Sequence, residues 1–187
     1  MTGTAHREKA GSAMTDGLIV PPGHGEQVGN EIINATFKVT GAHSRHTSVF
    51  ENIINPGFDV GAHVHDRLEE CFYILEGELE VFAFEPVQRE AEGWAQWRAA
   101  DGRRPVQAGP GTCIFVPAGC PHAFRNTTDR PARVLQTASP PPDHELYLKA
   151  MAELFSAGAE VPQEAVVRLR EAHDTRQLTP LTYRPPA

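Results

Sequence analysis

Between Glu31 and Ala138 the chain is a series of short apolar runs separated by Gly, Pro and Asn. "INATFKV", "TSVFENII", "ECFYIL", "ELEVFAF", "TCIFV", "HAFRN" and "ARVLQTA" are rich in β-branched and aromatic residues, and several alternate apolar with polar. Such alternation lays one face of a strand on a core. Turn signals fall at Asn55–Gly57, Asp101–Gly102, Gly109–Gly111 and Pro117–Pro121. Many short strands with no helical periodicity between them predict a sandwich or barrel. Asp101–Gly102, between "WAQWRAA" and "RRPVQA", predicts a two-residue hairpin inserted between core strands.

The pattern changes at both ends. Residues 1–30 read as a loose entry segment, residues 31–140 as the β domain, and residues 141–187 as a helical extension. Asp143 is a candidate N-cap, and Tyr147, Ala150, Met151, Leu154 and Phe155 recur at helical spacing. Gly158 is placed to end that helix. Pro162 then opens a second helix with Val166 and Leu169 on one stripe. Both helices are expected to pack on the sandwich or on a partner subunit, in a structural role.

Composition narrows the classes. A chain of 187 residues with 40% hydrophobic and 22% charged residues can bury the core of one domain. A net charge of -7 without a basic run argues against a nucleic-acid or anionic-membrane partner. No apolar run reaches the roughly 20 residues that span a bilayer. The first residues are polar, without a signal-peptide centre, and the three cysteines (Cys71, Cys113, Cys120) form no CxxC pair. A cytoplasmic location is expected. The cysteines read as small apolar core residues. Trp94 and Trp97, in the inserted segment from Glu85 to Ala108, read as a cover for the sandwich or a dimer interface.

One apolar stretch is interrupted by chemistry. In "GAHVHDRLEECFYILEG", His63 and His65 are two apart and share one face of a strand. Glu69 keeps that phase in a straight strand, whereas Glu70 reaches the same side only if Asp66–Leu68 make a turn. Periodicity leaves both open. Far downstream His122 follows a proline-bounded turn, with Phe124 and Asn126 on its face. Ionisable groups inside a core need compensation, and two imidazoles side by side on one strand face are a poor core filling but a start to a metal site. His6, His24, His43, His46, His144 and His173 have no such spacing and read as surface groups.

Two motifs carry a resemblance. G-x5-H-x-H-x4-E-x6-G falls on Gly57, His63, His65, Glu70 and Gly77; G-x5-P-x-G-x2-H-x3-N falls on Gly111, Pro117, Gly119, His122 and Asn126. Together they resemble the paired motifs of the cupin superfamily, over roughly Glu31 to Ala138. The resemblance implies a mostly β, double-stranded β-helix jelly roll with C-terminal α-helices appended. It implies His63, His65, Glu70 and His122 as ligands of one divalent transition metal (Fe, Mn, Ni, Cu or Zn), and its spacing to Gly77 selects Glu70.

In six-coordination two positions stay open, for a substrate oxygen and for water or dioxygen. Glu70 is then the candidate general base, and Phe72, Ile74 and Phe124 are candidate pocket residues on strand alternation. The order of elements resembles single-domain cupins of the quercetinase-like type, which implies a metal-dependent dioxygenase acting on a small enolised molecule. The alternatives are a non-redox metal enzyme, such as an isomerase or polyketide cyclase, and a small-molecule-binding module without turnover. A storage role would need no complete ligand set. Sandwich edges need covering, and a homodimer is the expected solution.

Overall fold

The alternating runs become two antiparallel sheets whose apolar faces meet. The structure, a computed structural model, describes residues 16–90, 93–140, 144–156 and 161–184. Within these residues the strands are β1 (Glu26–Gly29), β2 (Asn34–Val39), β3 (Ser48–Ile54), β4 (Phe58–Asp59), β5 (His63–Val64), β6 (Glu69–Glu76), β7 (Leu79–Ala83), β8 (Pro86–Gln88), β9 (Arg98–Ala99), β10 (Val106–Ala108), β11 (Cys113–Val116), β12 (His122–Arg125) and β13 (Ala132–Ser139). Then follow α1 (His144–Ser156), α2 (Gln163–Ala172), β14 (Arg176–Gln177) and β15 (Thr182–Tyr183).

One sheet runs β1-β2-β3-β13-β6-β11. The other runs β10-β7-β12-β4-β15, with β5 joined to β12 and β14. This is a jelly roll with helices at its C-terminal side, within the sandwich-or-barrel class of the strand pattern and as the motif resemblance implies. The core between the sheets includes Phe37, Phe50, Ile74, Val116 and Val134. On β6 burial alternates, with Glu70, Phe72 and Ile74 inward and Tyr73 outward. Gly77 turns β6 into β7 at φ +74, and a Cβ there would lie 2.7 Å from Ala132 Cα. Only glycine meets both conditions without strain.

Several expectations change. β1 lies inside the segment expected to be loose, where it pairs with β2 and extends the sheet edge. The hairpin across Asp101–Gly102 closes only at its turn, where Ala99 N donates to Arg103 O at 3.0 Å, and does not extend into a β9–β10 pair. β9 pairs with β8, while β10 leaves to pair with β7. A DG turn is present, since Gly102 N donates to Ala99 O at 3.0 Å, but local turn chemistry does not choose the strand's partner. Trp94 and Trp97 are buried with Phe82 and Phe84 in a second cluster, covering the sandwich. Cys113 is exposed rather than in the core, because the face of β11 that carries it points outward with Phe115. Its sulfur lies 3.5 Å from that of half-buried Cys71.

The C-terminal region is more than an appendage. Glu145 at the start of α1 accepts a hydrogen bond from Gly41 N at 3.0 Å, and Tyr147, Met151 and Ala152 are buried. α2 starts directly after Pro162 and buries Val166 and Arg170. Beyond it, β14 and β15 join the second sheet against β5 and β4. The expected caps at Asp143 and Gly158, and His6, lie outside the described residues.

Candidate metal centre

β5, the start of β6 and the start of β12 meet at one point between the sheets. His63 and His122 are paired across β5 and β12. The chain bends at Asp66–Arg67 before β6 begins. That bend shifts the phase, so Glu69 is exposed and Glu70 is buried. Asp174 holds the bend, as its Oδ2 accepts from the backbone amides of Arg67 and Leu68, each at 3.0 Å. His63, His65, Glu70 and His122 are all buried, and one ligand atom from each lies within 4.8 Å of the others. The four residues named from sequence are therefore assembled.

Each imidazole has its orientation set by the backbone. His63 Nδ1 lies 2.8 Å from Gly61 O, His65 Nδ1 2.9 Å from Asp174 O, and His122 Nδ1 3.0 Å from Cys120 O. A carbonyl only accepts, so each Nδ1 carries the proton and each Nε2 is left with its lone pair. Thr175 Oγ1 gives His65 Nδ1 a second acceptor at 3.3 Å. These outer partners could not be named from sequence.

The inner side of the cluster lacks a positive charge. His122 Nε2 is 2.9 Å from Glu70 Oε2, and His65 Nε2 is 3.3 Å from the same oxygen. The latter is near enough for charge attraction but makes no hydrogen bond, and among the described residues His65 Nε2 has no hydrogen-bond partner. Neutral Nε2 atoms and a carboxylate oxygen are all acceptors. They sit this close only with extra protons on the rings or with a cation among them. The donor set, three imidazole nitrogens and one carboxylate oxygen, fits a divalent transition ion.

Electrostatics follow the same geometry. Burial would raise the pKa of Glu70, but the charge of His65 and the hydrogen bond from His122 outweigh it and hold the carboxyl well below its usual range. Burial, followed by the charges of His122 and Arg170, holds His63 well below the ordinary imidazole value. For His65, burial pulls down, but the charge of Glu70 and the bond to the Asp174 carbonyl together pull harder and the pKa is raised. Glu70 Oε1 accepts from Gln136 Nε2 at 2.7 Å, and Gln136 Oε1 accepts from Asn52 Nδ2 at 2.6 Å. This relay fixes which carboxylate oxygen faces the imidazoles.

A cavity of about 70 Å³ lies against the cluster. Phe72 and Phe124 line it, as strand alternation implied, but Ile74 does not. Ile74 is two residues deeper along β6 and borders a separate apolar space. The far wall is Tyr147, Leu148 and Met151 of α1 with Arg170 of α2. His144, read as a surface group, is buried in this wall and stacks on Phe50 at 5.2 Å. Sequence reasoning also missed Gln136, Asn52, Asp174, Thr175 and Arg170. The i to i+4 spacing of Arg170 from Val166 would have placed it on the buried stripe of α2.

Comparison with known proteins agrees with the fold and motifs. A family model described as Cupin matches residues 21–168. The structure of an RmlC-like cupin from Shewanella frigidimarina aligns at a TM-score of 0.51 and 16% identity, over 72% of this chain and 99% of that one. A predicted oxalate decarboxylase from Thermotoga maritima aligns at 0.45 and 20% identity, over 61% of this chain and 90% of that one. The first supports the jelly roll itself. No curated protein matches the sequence.

Proposed function

Because the chain belongs to the cupin family, we propose that it is a metal-dependent enzyme acting on a small organic molecule, and that the reaction is a dioxygenation. His63, His65, Glu70 and His122 are the residues to hold the ion. The observation that carries this reading is the set of Nδ1–H bonds to backbone carbonyls, which leaves three Nε2 lone pairs free in one buried cluster, those of His65 and His122 at 3.3 and 2.9 Å from Glu70 Oε2. A divalent ion there supplies Lewis acidity and a template for an oxygen-bearing substrate.

The rest is done by the chain. Gly61, Asp174 and Cys120 carbonyls keep the rings in the ligating tautomer. Gln136 holds Glu70 Oε1, and Glu70 is the base within reach of a substrate hydroxyl in the cavity. Phe72, Phe124 and α1 exclude bulk water, which favours an enolised substrate over its hydrated form. The cavity holds only a few waters at the ~10–15 Å³ that each needs. A cavity of about 70 Å³ favours a compact molecule in this reading.

The test is oxygen uptake. Protein loaded in turn with Fe, Mn, Ni or Cu is supplied with small enolisable compounds in an oxygen-electrode cell. Metal-dependent consumption that disappears in Glu70→Gln supports the dioxygenase. Turnover without oxygen uptake, best with Zn, would move the assignment to a non-redox isomerase or cyclase.

A further inference from the structure

Arg170 is a buried cation that the site described so far does not use. It is fully buried on α2, yet it borders the same cavity as His63, His65 and Glu70. Its Nη2 donates to Val60 O at 2.7 Å and its Nη1 to Gln177 Oε1 at 3.3 Å. Both acceptors are neutral. Among the described residues its Nε–H has no hydrogen-bond partner, and no carboxylate pairs with it. Helix packing alone would be served by an apolar residue, without a buried donor left unpaired.

Charge counting shows what is missing. With the imidazoles neutral, the formal charges of Glu70 and Arg170, which line the same cavity, cancel. A divalent ion among neutral imidazoles reverses this: its two charges exceed that of Glu70, and Arg170 adds another. The loaded cavity is then strongly cationic and apolar-walled, with one guanidinium N–H of a lining residue unpaired among the described residues. We propose that Arg170 is the anion-binding residue of this site, and that its substrate class is a compact carboxylate whose charged end meets the Nε–H while a neighbouring oxygen faces the metal cluster. This rests on the metal reading above. It commits the site to an anion of a few heavy atoms, consistent with the cavity of about 70 Å³.

The test uses the full chain loaded with zinc, which is diamagnetic, with metal content checked before each titration. Acetate, lactate and malonate are each compared with the corresponding amide, which keeps size and shape but removes the charge. Binding is followed by calorimetry and by the side-chain Nε–H resonance of Arg170, assigned from its absence in Arg170→Lys. At least one carboxylate is expected to bind about ten- to a hundred-fold tighter than its amide, and to move that resonance downfield. Arg170→Lys is expected to lose most of this preference while keeping its zinc.

Equal affinity for acid and amide in all three pairs would overturn the proposal and leave the metal reading intact. So would tight carboxylate binding with the Nε–H resonance unmoved. Failure of the native chain to take up zinc would overturn both. If Arg170→Lys does not fold, the native resonance, assigned through the Val60 and Gln177 contacts, still decides.

Discussion

His65 is held by two opposing demands. Its Nδ1 proton is committed to Asp174 O, while its Nε2 faces Glu70 Oε2 at 3.3 Å and, in the metal-free protein, gains from taking a proton. Its raised pKa means that this proton competes with a metal ion. The sign follows: falling pH fills Nε2 of His65 first, while His63, with its lowered pKa, stays neutral. Metal release in a chelator competition is therefore expected to start at a pH above the ordinary imidazole value of 6.5. Affinity that stays constant down through that value would contradict this. Gln136 acts one step further out. Gln136→Leu removes the donor to Glu70 Oε1, and metal affinity is expected to fall about 10- to 100-fold, the usual cost of losing an outer partner. The ligands were legible in the sequence because two motifs fixed four residues together. Gln136 was not, because a lone polar residue on a strand carries no sign of what it faces.

The bend between β5 and β6 is the element on which the site depends. It is two residues long, and it alone decides whether Glu69 or Glu70 points inward. Alternation could not resolve it, since both phases of β6 are apolar. The partner that fixes the bend, Asp174, is more than a hundred residues away in sequence and has a positive φ of 58. Asp174→Ala leaves the Arg67 and Leu68 amides unpaired. It is expected to cost about 1–3 kcal/mol in denaturant unfolding and to weaken metal binding, since Glu70 loses its register. Unchanged stability and affinity would contradict that role. The core strands were legible from their alternation. The pairing of β9 and β10 was not, because pairing is settled by distant strands rather than by the turn residues. The helices were legible as helices, but their place as a cavity wall was not. An Arg on a helix ordinarily reads as solvent-facing, and Arg170 is not.

At the scale of the molecule, the two sheets bring together residues from opposite ends of the chain, and the C-terminal strands close the site from behind. No helix among the described residues is long and apolar enough to cross a membrane. Tyr73 and Phe115 remain exposed on the outer face of β6 and β11, at the edge of the first sheet. We retain the homodimer as a proposal on that basis; sedimentation is expected to give the mass of two chains, and the mass of one would contradict it.

The central claim is that His63, His65, Glu70 and His122 hold one divalent ion. Elemental analysis of the chain purified without added metal, beside His63→Ala and His122→Ala, tests it most directly. About one transition-metal ion per chain, lost in both variants while the fold persists by circular dichroism, is the expected result. An ion retained in both variants, or a native chain that stays empty after reconstitution with Fe, Mn, Ni, Cu and Zn salts, would contradict it.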